Sequence, residues 1–461
     1  MKSLPLSQLA AWTRARQVGA DCMVHAIGTD TRHLQAESVY VALRGENFDG
    51  HDFASQAQAH GACALLVERA LDSDLPQLVC DNSLRALGDI AGAMAKSRST
   101  RVLAITGSNG KTTTRGLVMS ILRHFDPEAY SNTGNRNNEV GMPLAVIDQP
   151  EEARLAVYEM GAGAPGDIAY LAAIACPRIS VVTNVAPAHL ERMGSLLGVA
   201  DTKAAIYDAL PSDGIAVINA DDAFATYFAS RAGSRPVLRY GIETSAELRA
   251  EAIVEDETGN HFRLLSPWGN AEIDLPLPGR HQISNALAAA AMALAAGAPL
   301  EAVVEGLAQA ERVPGRQQPR AMLNGSVVLD DSYNANPGSL AAAIGLLLNQ
   351  ARRQNMEAWL VLGDMRELGQ GAAVLHADAG RQARDAGVQR LLAVGEMSRH
   401  AVAAFGVGGE HFADQSALIE RLNVLGQSPV MMLVKGSRGS RMDRVVSALL
   451  KDTQQEDGHA A

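Results

Sequence analysis

The sequence predicts an α/β protein of three domains, and three observations support that prediction. The chain has 461 residues, and at about 150 residues per domain this length indicates about three domains. Short apolar runs alternate with helical stretches over most of the chain, which is typical of parallel sheets covered by helices. The pattern changes near residue 82 and again near Pro314, where glycine and proline cluster.

We therefore expect domains at residues 1–82, 83–314 and 315–461. The first is predicted to be a small mixed α/β unit, because glycines punctuate its short apolar runs. The second should hold a parallel sheet with a small antiparallel patch, since residues 264–273 place turn residues between two strand-like runs. The third resembles a Rossmann-like unit. We expect its polar tail, from residue 451, to fray.

Individual strands are predicted where short apolar runs stand between turn residues. In the first domain they lie at 39–43, 64–67 and 78–80. In the second they lie at 102–106, 155–158, 179–182 and 215–218. In the third they lie at 327–330, 359–362, 391–394 and 431–434, each followed by a helical stretch.

Composition excludes several classes of protein. A hydrophobic fraction of 47% and a charged fraction of 20% indicate an ordinary globular protein. The net charge of −11 disfavours a non-specific nucleic-acid binder, which needs a surface that neutralises phosphates. The four cysteines form no C-x-x-C pair, so neither a structural zinc site nor a disulfide framework is expected. Few, scattered thiols fit a reducing compartment.

No segment has the pattern of a signal peptide or a membrane span. Pro5, Ser7 and Gln8 interrupt any apolar region at the N-terminus. The longest charge-free stretch, 282–300, is mostly alanine and is broken by Gly297 and Pro299, so it predicts a buried helix. We expect a soluble cytoplasmic protein that is not embedded in a membrane.

The most specific motif is a phosphate-binding loop. Residues 106–113 follow a predicted strand and open a predicted helix at Thr113, and the loop itself consists of Gly107, Ser108, Asn109, Gly110, Lys111, Thr112 and Thr113. Backbone N–H groups at such a helix start bind phosphates. Lys111 can reach the outer phosphates and the Thr112 hydroxyl can bind Mg²⁺. Ile105 stands where the usual P-loop has its first glycine, so this loop is a shortened variant.

Polar residues follow several of the predicted strands, where ligands bind in open α/β sheets. Glu159 ends the second strand of the central domain and could hold Mg²⁺, although an acid at a strand end is usually solvated. Asn184 ends the third strand, and His189 and Lys203 follow it. By spacing alone, His189 is typical of a structural histidine and Lys203 of a solvated lysine.

Several segments resemble the Mur ligases. The loop at 106–113 matches theirs in its shortened spacing, and the asparagine-rich residues 133–141 match a loop of one member. Residues 159–162 and 331–337 resemble that same member, which joins D-alanyl-D-alanine to UDP-N-acetylmuramoyl-tripeptide. The N-terminal segment 30–51 also resembles the family's UDP-binding domain, over a shorter and less specific stretch.

The resemblance implies a role for each matching residue. Lys111 and the loop amides would hold the phosphates of ATP. Thr112 and Glu159 would bind one Mg²⁺, and His189 would bind a second Mg²⁺. Lys203 aligns with the family's carbamylated lysine, so that Lys111, His189 and Lys203 would be catalytic. The expected nucleotide contacts further along the chain are Asn285 to adenine, Arg316 to phosphate and Asp331 to ribose. The expected substrate contacts are Thr31, Arg32, Asn138, Tyr333, Asn334, Lys435 and Ser437.

The implied activity is an ATP-dependent amide ligation that makes the peptidoglycan precursor through an acyl phosphate. It would serve cell-wall synthesis, and through it cell shape and division, in a monomeric enzyme. A neighbouring amide ligase, such as one that adds the third residue of the wall peptide or a folylpolyglutamate synthase, is the near alternative. A P-loop switch or motor is disfavoured because the chain has no Asn-Lys pair for a base-reading motif. A non-catalytic nucleotide-binding module is disfavoured by Glu159 beside Lys111 and Thr112.

Overall fold

A computed structural model describes residues 1–45, 47–256, 258–425 and 428–450 of the chain. The described residues form sheets of five, nine and six strands, in that order along the chain, and a two-stranded sheet near the N-terminus. Parallel pairs dominate all three large sheets, so the predicted α/β class is confirmed. The predicted polar tail from 451 lies outside the described residues, and the domain boundaries at 82/83 and 314/315 stay a prediction.

The first unit contains a mixed five-stranded sheet and the two-stranded sheet. Its strands are β1 (Leu4–Pro5), β2 (Arg16–Val18), β3 (Met23–Val24), β4 (Ala26–Gly28), β5 (Ser38–Val41), β6 (Ala62–Val67) and β7 (Gln77–Val79), and its helices are α1 (Leu6–Thr13) and α2 (Ala54–Ala59), with 3₁₀ turns at Thr31–His33 and Gly50–Phe53. The strand order is β2-β7-β6-β5-β4, in which only β2 is antiparallel, and β1 pairs with β3. The three predicted runs form β5 to β7. The four strands before them have two or three residues each, too few to show a pattern.

The central sheet has nine strands and carries the phosphate loop. Its strands are β8 (Arg101–Thr106), β9 (Tyr130–Ser131), β10 (Leu155–Glu159), β11 (Ile179–Val182), β12 (Ile215–Asn219), β13 (Val237–Gly241), β14 (Leu248–Glu255), β15 (Asn260–Ser266) and β16 (Gly269–Leu275). Their order is β16-β15-β14-β13-β12-β11-β8-β10-β9, and only the pairs β14–β15 and β15–β16 are antiparallel. The predicted antiparallel patch is therefore confirmed at one edge.

Nine helices cover this sheet in the described part of the chain. They are α3 (Ser83–Ser97), α4 (Lys111–Arg123), α5 (Gly141–Asp148), α6 (Asp167–Ala175), α7 (Leu190–Met193), α8 (Leu196–Asp208), α9 (Ala225–Ala232), α10 (Arg280–Ala295) and α11 (Leu300–Ala308). Helix α4 begins at Lys111 rather than at the predicted Thr113, because Gly110 takes the left-handed conformation and serves as its N-cap. The charge-free stretch 282–300 forms most of α10, which is buried as predicted. None of the described helices is long and apolar enough to cross a membrane.

The third unit is a doubly wound sheet of six strands. Its strands are β17 (Gln318–Ala321), β18 (Val327–Asp331), β19 (Glu357–Gly363), β20 (Arg390–Val394), β21 (Gly409–Phe412) and β22 (Val430–Lys435), and its helices are α12 (Pro337–Arg353), α13 (Ala372–Ala386), α14 (Ser398–Phe405), α15 (Gln415–Leu425) and α16 (Asp443–Leu449), with 3₁₀ turns at Gly369–Gly371 and Arg438–Ser440. The order is β17-β18-β22-β19-β20-β21, with β17 antiparallel. The four predicted runs form β18, β19, β20 and β22, each followed by a helix.

The apolar core is continuous across residue 82. Leu6 and Leu9 of α1 belong to the same buried cluster as Leu87 and Ile90 of α3, which covers one face of the central sheet. A second cluster lies on the opposite face, between the sheet and α10. The C-terminal sheet has separate clusters on its two faces, so each of its central strands is buried on both sides.

We predict that Leu433→Ala in β22 destabilises the C-terminal unit by about 2–5 kcal/mol, because it removes a large side chain from a core that cannot collapse fully. Leu433 is fully buried, in a strand that pairs on both sides. The measurement is the denaturant midpoint followed by intrinsic fluorescence. The control is Leu323→Ala, because Leu323 is 61% exposed. Equal midpoints for the two variants would contradict this description of the core.

Candidate active site

The carboxyl ends of two sheets face one cavity of about 530 Å³. Strands β8, β10 and β11 of the central sheet and strands β18 and β22 of the C-terminal sheet end beside it. The structure brings fourteen of the predicted site residues to its lining: Ser108, Asn109, Gly110, Lys111, Thr113, Asn138, Glu159, His189, Asn285, Arg316, Asp331, Tyr333, Asn334 and Lys435. These residues span more than 300 positions of sequence, so the site is made by the packing of the two units.

The phosphate loop needs glycine at both ends. Gly107 has φ of +149° and Gly110 has φ of +80°, in the region that side chains rarely adopt. A Cβ on Gly107 would lie 1.8 Å from Thr183 Oγ1, and one on Gly110 would lie 2.3 Å from Asn285 Oδ1. The predicted adenine contact, Asn285, therefore packs directly on the loop.

The loop is tied to the segment that follows β11. The Asn109 N–H donates to Asn184 Oδ1 at 3.0 Å, and the Asn109 carbonyl accepts from Thr183 Oγ1 at 2.6 Å. The Ser108 hydroxyl accepts from the Ala186 N–H at 3.0 Å and donates to its carbonyl at 3.1 Å. These bonds hold the first half of the loop against the segment after β11.

Lys111 lies folded over the loop. Its Nζ donates to the carbonyls of Gly107 at 2.7 Å and Ser108 at 3.4 Å. Burial lowers the pKa of Lys111, while the nearby Glu159 carboxylate opposes that shift. The ammonium is thus held at the centre of the loop, where a bound polyphosphate would meet it.

Glu159 is a buried carboxylate at the end of β10. It is 2% exposed, and its Oε1 accepts from Asn137 Nδ2 at 2.8 Å. Its Oε2 lies 3.5 Å from Arg115 Nη1 but accepts no hydrogen bond from any residue that the structure describes. A buried carboxylate oxygen without a donor is costly unless a cation or ligand completes it.

The segment between the two units reaches into the loop. Arg316 donates from Nη2 to Thr112 Oγ1 at 3.0 Å, and its guanidinium lies 4.4 Å from the centre of the Tyr333 ring. The Arg438 guanidinium lies 5.8 Å from the same ring. Tyr333 therefore contacts two cations at the mouth of the cavity.

His189 connects the central and C-terminal units. It precedes α7 with φ of +55°, and its Nδ1 lies 2.5 Å from Glu367 Oε2. The hydrogen bond from His189 lowers the pKa of Glu367. The backbone adds to this contact, because the Glu191 N–H donates to the Glu367 carbonyl at 3.3 Å.

Lys203 is buried on α8, behind the phosphate loop. It is 2% exposed, and within the described ranges no side chain or carbonyl accepts a hydrogen bond from its ammonium. Burial and, to a smaller extent, the positive charge of Lys111 together lower its pKa to about 7. The interpretation as a solvated lysine is therefore wrong.

Asp331 and Lys435 form an ion pair between neighbouring strand ends. Lys435 Nζ donates to Asp331 Oδ2 at 2.5 Å and to the Asn334 carbonyl at 3.0 Å. Burial raises the pKa of Asp331, and the Lys435 charge opposes that shift. Ser437 lies deeper: it is 5% exposed, donates to the Ala335 carbonyl at 3.2 Å and accepts from the Arg366 N–H at 2.8 Å.

Family models match the chain in three consecutive segments. The model of the Mur ligase family catalytic domain matches residues 23–102, that of the Mur ligase middle domain matches 105–293, and that of the Mur ligase glutamate ligase domain matches 315–438. An Escherichia coli K12 protein named UDP-N-acetylmuramoyl-tripeptide–D-alanyl-D-alanine ligase is 43% identical over 97% of this chain and 99% of its own length. The chain belongs to the Mur ligase family.

Solved structures agree with this assignment. The crystal structure of MurF from Acinetobacter baumannii is 31% identical and superposes with a TM-score of 0.91, covering 98% of this chain and 100% of its own. MurF from Thermotoga maritima, in complex with ADP, is 25% identical with a TM-score of 0.82, over 94% and 99%. The expected Mur ligase fold is therefore confirmed over 98% of the chain.

The remaining predicted residues of this Mur ligase lie outside the cavity lining. Gly107 and Thr112 form the back of the phosphate loop, and Lys203 is buried behind it. Thr31 and Arg32 lie on the N-terminal unit, where Thr31 donates to Gln56 Oε1 at 2.9 Å and Arg32 pairs with Asp30 at 2.7 Å. The structure does not bring these last two residues to the cavity.

Sequence reasoning missed several lining residues of the cavity. His281 and Gln317 bond to each other at 3.0 Å, and Asn336 donates to the phosphate loop. Glu367, which pairs with His189, was missed as well. His281 stands four residues before Asn285 on the same helix face, and this spacing could have indicated it. Glu367 lies on a loop, where no local pattern marks it.

We predict that His281 stays uncharged until the pH falls to about 4, because burial lowers its pKa to about 4 from an ordinary 6.5. Since the unfolded chain binds a proton at this residue first, stability should fall as the pH drops from 6.5 toward 4. The measurement is the denaturant midpoint against pH for the wild type and His281→Gln. The difference in denaturant midpoint between the two proteins should change between pH 6.5 and about pH 4. A difference that is constant with pH would contradict the prediction.

Proposed function

We propose that this Mur ligase uses ATP to join D-alanyl-D-alanine to UDP-N-acetylmuramoyl-tripeptide, giving the pentapeptide precursor of peptidoglycan, ADP and phosphate. One observation carries the proposal: a protein named for this reaction is 43% identical over 97% of the chain, and the solved MurF from Acinetobacter baumannii superposes on 98% of it. The cavity also has the composition that the reaction needs, because a phosphate loop faces the polar strand ends of a second α/β unit.

The chemistry explains why two units must meet. A carboxylate does not react with an amine at neutral pH, so the terminal carboxylate of the tripeptide first attacks the γ-phosphorus of ATP. The bond from that phosphorus to the ADP oxygen breaks, and an acyl phosphate forms. The dipeptide amine then attacks the acyl carbon, phosphate leaves, and the amine loses a proton. Water would hydrolyse the acyl phosphate, so a cavity closed between two units protects it.

The residues act mainly by position and charge. Lys111 and the loop N–H groups would hold the β- and γ-phosphates and stabilise the charge that spreads in the transition state. Arg316 would add a second cation from the segment between the units. Asn285 and Asp331 are proposed to contact the adenine and the ribose. The residues proposed to contact the acceptor dipeptide are Tyr333, Asn334, Lys435 and Ser437. Ser437 would act indirectly, through the loop that it holds.

The donor set suits Mg²⁺ if substrate oxygens complete it. No group of three or more His, Cys, Asp or Glu side chains in the described ranges is placed to hold a metal. The Glu159 Oε2, which among the described residues accepts no hydrogen bond and has only the Arg115 ion pair, and the Thr112 hydroxyl are hard oxygen donors, which Mg²⁺ prefers together with phosphate oxygens. When bound, the ion would neutralise phosphate charge. His189 would serve a second ion only after its pairing with Glu367 is released.

Lys203 is proposed to carry a carbamate. Its burial beside Lys111 disfavours the ammonium form and leaves a neutral amine, which is the form that adds to CO₂. The product is a long-stemmed carboxylate, which would remove the repulsion between two buried cations and add an oxygen donor near the second ion.

On the substrate side, Thr31 and Arg32 of the N-terminal unit are proposed to contact the UDP end, and Asn138 the peptide. That the enzyme is a monomer and that it works in the cytoplasm both stay predictions.

The decisive test of the function is the choice of amine. Purified protein is given ATP, Mg²⁺ and the UDP-linked tripeptide with either diaminopimelate or lysine at its third position. We expect phosphate release and a new amide with D-alanyl-D-alanine, and far less with D-alanine or diaminopimelate, because a site that pairs the acceptor's polar groups rejects molecules that leave them unpaired. Equal rates with a single amino acid would favour a neighbouring ligase, and phosphate release without an acceptor would favour a switch or motor.

For Lys203, we predict that Lys203→Ala loses activity while the protein stays folded. Acetate or formate should restore part of the activity, since a small anion can occupy the vacated space, and a short amine should not. The readouts are the ligation rate and the circular dichroism spectrum. Lys96→Ala, which changes an exposed lysine on α3, is the matched control and should retain full activity. Rescue by amines alone, or full activity without rescue, would contradict the carbamate.

A further inference from the structure

A hydrogen bond between two asparagines joins the phosphate loop to the C-terminal unit. Asn336 Nδ2 donates to Asn109 Oδ1 at 2.7 Å, across 227 positions of sequence. Asn336 is 7% exposed, whereas Asn109 is partly exposed, so this bond is partly buried at the edge of the cavity. It links the residue just before α12 to the loop proposed to bind ATP.

The start of α12 fixes the orientation of the Asn336 amide. Its Oδ1 accepts from the Ser339 N–H at 2.9 Å, and its own N–H donates to the Ser339 hydroxyl at 3.1 Å, which together form a capping box. Because the amide oxygen serves the helix, the amide nitrogen must point the other way, toward Asn109. The helix cap therefore aims the donor at the loop.

Asn109 is held on its other side as well. Its backbone N–H and carbonyl are bonded to Asn184 and Thr183, as described above. The α12 start packs closely here, because a Cβ on Gly338 would lie 3.2 Å from the Ala186 side chain and 3.6 Å from Asn109 Nδ2. The loop is thus clamped between the segment after β11 and the first turn of α12.

We propose that Asn336 is a positioning residue that couples the seating of the C-terminal unit to the shape of the phosphate loop. When the unit is seated, the Asn336 amide fixes Asn109, and with it the loop. Nucleotide binding must in turn favour seating, because coupling between two equilibria is reciprocal. This deepens the proposed function and rests on it, because it requires the loop to bind ATP. On this proposal the acyl phosphate would form only when the acceptor side is in place.

The test is hydrogen exchange of residues 332–340 with and without a non-hydrolysable ATP analogue. In the wild type, the analogue should slow exchange in this segment. In Asn336→Ser it should bind but no longer slow exchange there, because serine caps a helix as well as asparagine does but lacks the amide donor. Asn82→Ser is the matched control, since Asn82 caps α3 by accepting from the Arg85 N–H at 2.7 Å, outside the cavity. It should behave as the wild type.

Kinetics supply a second readout. Loss of one buried hydrogen bond at a positioning contact should lower kcat for ligation by about tenfold. Asn109→Ser should have the same effect through this bond, and the double variant should show less than the product of the two single effects. The proposal would be overturned if the two substitutions lowered kcat independently of each other. It would also be overturned if the analogue still slowed exchange of residues 332–340 in Asn336→Ser.

The outcomes separate this proposal from the function. If the wild type binds the analogue and protects residues 332–340 but makes no pentapeptide precursor, the substrate assignment fails while the coupling stands. If the wild type makes the precursor and Asn336→Ser shows wild-type protection and kcat, the coupling fails while the function stands. The melting temperatures of all variants are also measured without the analogue. A variant with a folding defect would melt at a lower temperature than the wild type even in the unbound protein.

Discussion

The hydrogen bonds between the phosphate loop and the segment after β11 fix the geometry on which the rest of the site depends. A loop that binds phosphates must keep some N–H groups free, yet buried backbone groups without partners are costly. Two different parts of the loop meet these two requirements. Asn109 and Ser108 are bonded to Asn184, Thr183 and Ala186, while Gly110, Lys111 and Thr113, where α4 begins, line the cavity. Close packing at Gly107 leaves no space for a side chain there.

The second feature of the site is its positive charge. Lys203 is buried and Lys111 lines the cavity, and each lies close enough to charged groups for its pKa to respond to them. Arg316 adds a cation at the loop, whereas Lys435 is paired with Asp331. Polyphosphate, and a carbamate on Lys203, would supply the negative charge that this arrangement lacks. The same reasoning explains why Glu159 keeps one oxygen without a donor, as a metal ion or its bound water would complete it.

The sequence predicts well those features that depend on neighbouring residues. The strands of four or more apolar residues, the phosphate loop and the polar residues at strand ends all have local patterns, and the structure brings most of those polar residues to one cavity. Features that depend on distant partners were not predictable. Helix α4 starts at Lys111 rather than at Thr113 because of the conformation of Gly110. The strands β1 to β4, of two or three residues each, form only because other strands pair with them. Glu367 and Asn336 gain their roles from contacts between units, which no spacing in the sequence indicates.

The most direct test of this account follows oxygen from the tripeptide to phosphate. The UDP-linked tripeptide is labelled with ¹⁸O in its terminal carboxylate and incubated with the enzyme, ATP, Mg²⁺ and D-alanyl-D-alanine, and the released phosphate is analysed by mass spectrometry. If the cavity forms an acyl phosphate, one labelled oxygen must leave with each phosphate when the amide forms. Phosphate without the label, formed at the same rate as the amide, would contradict the account.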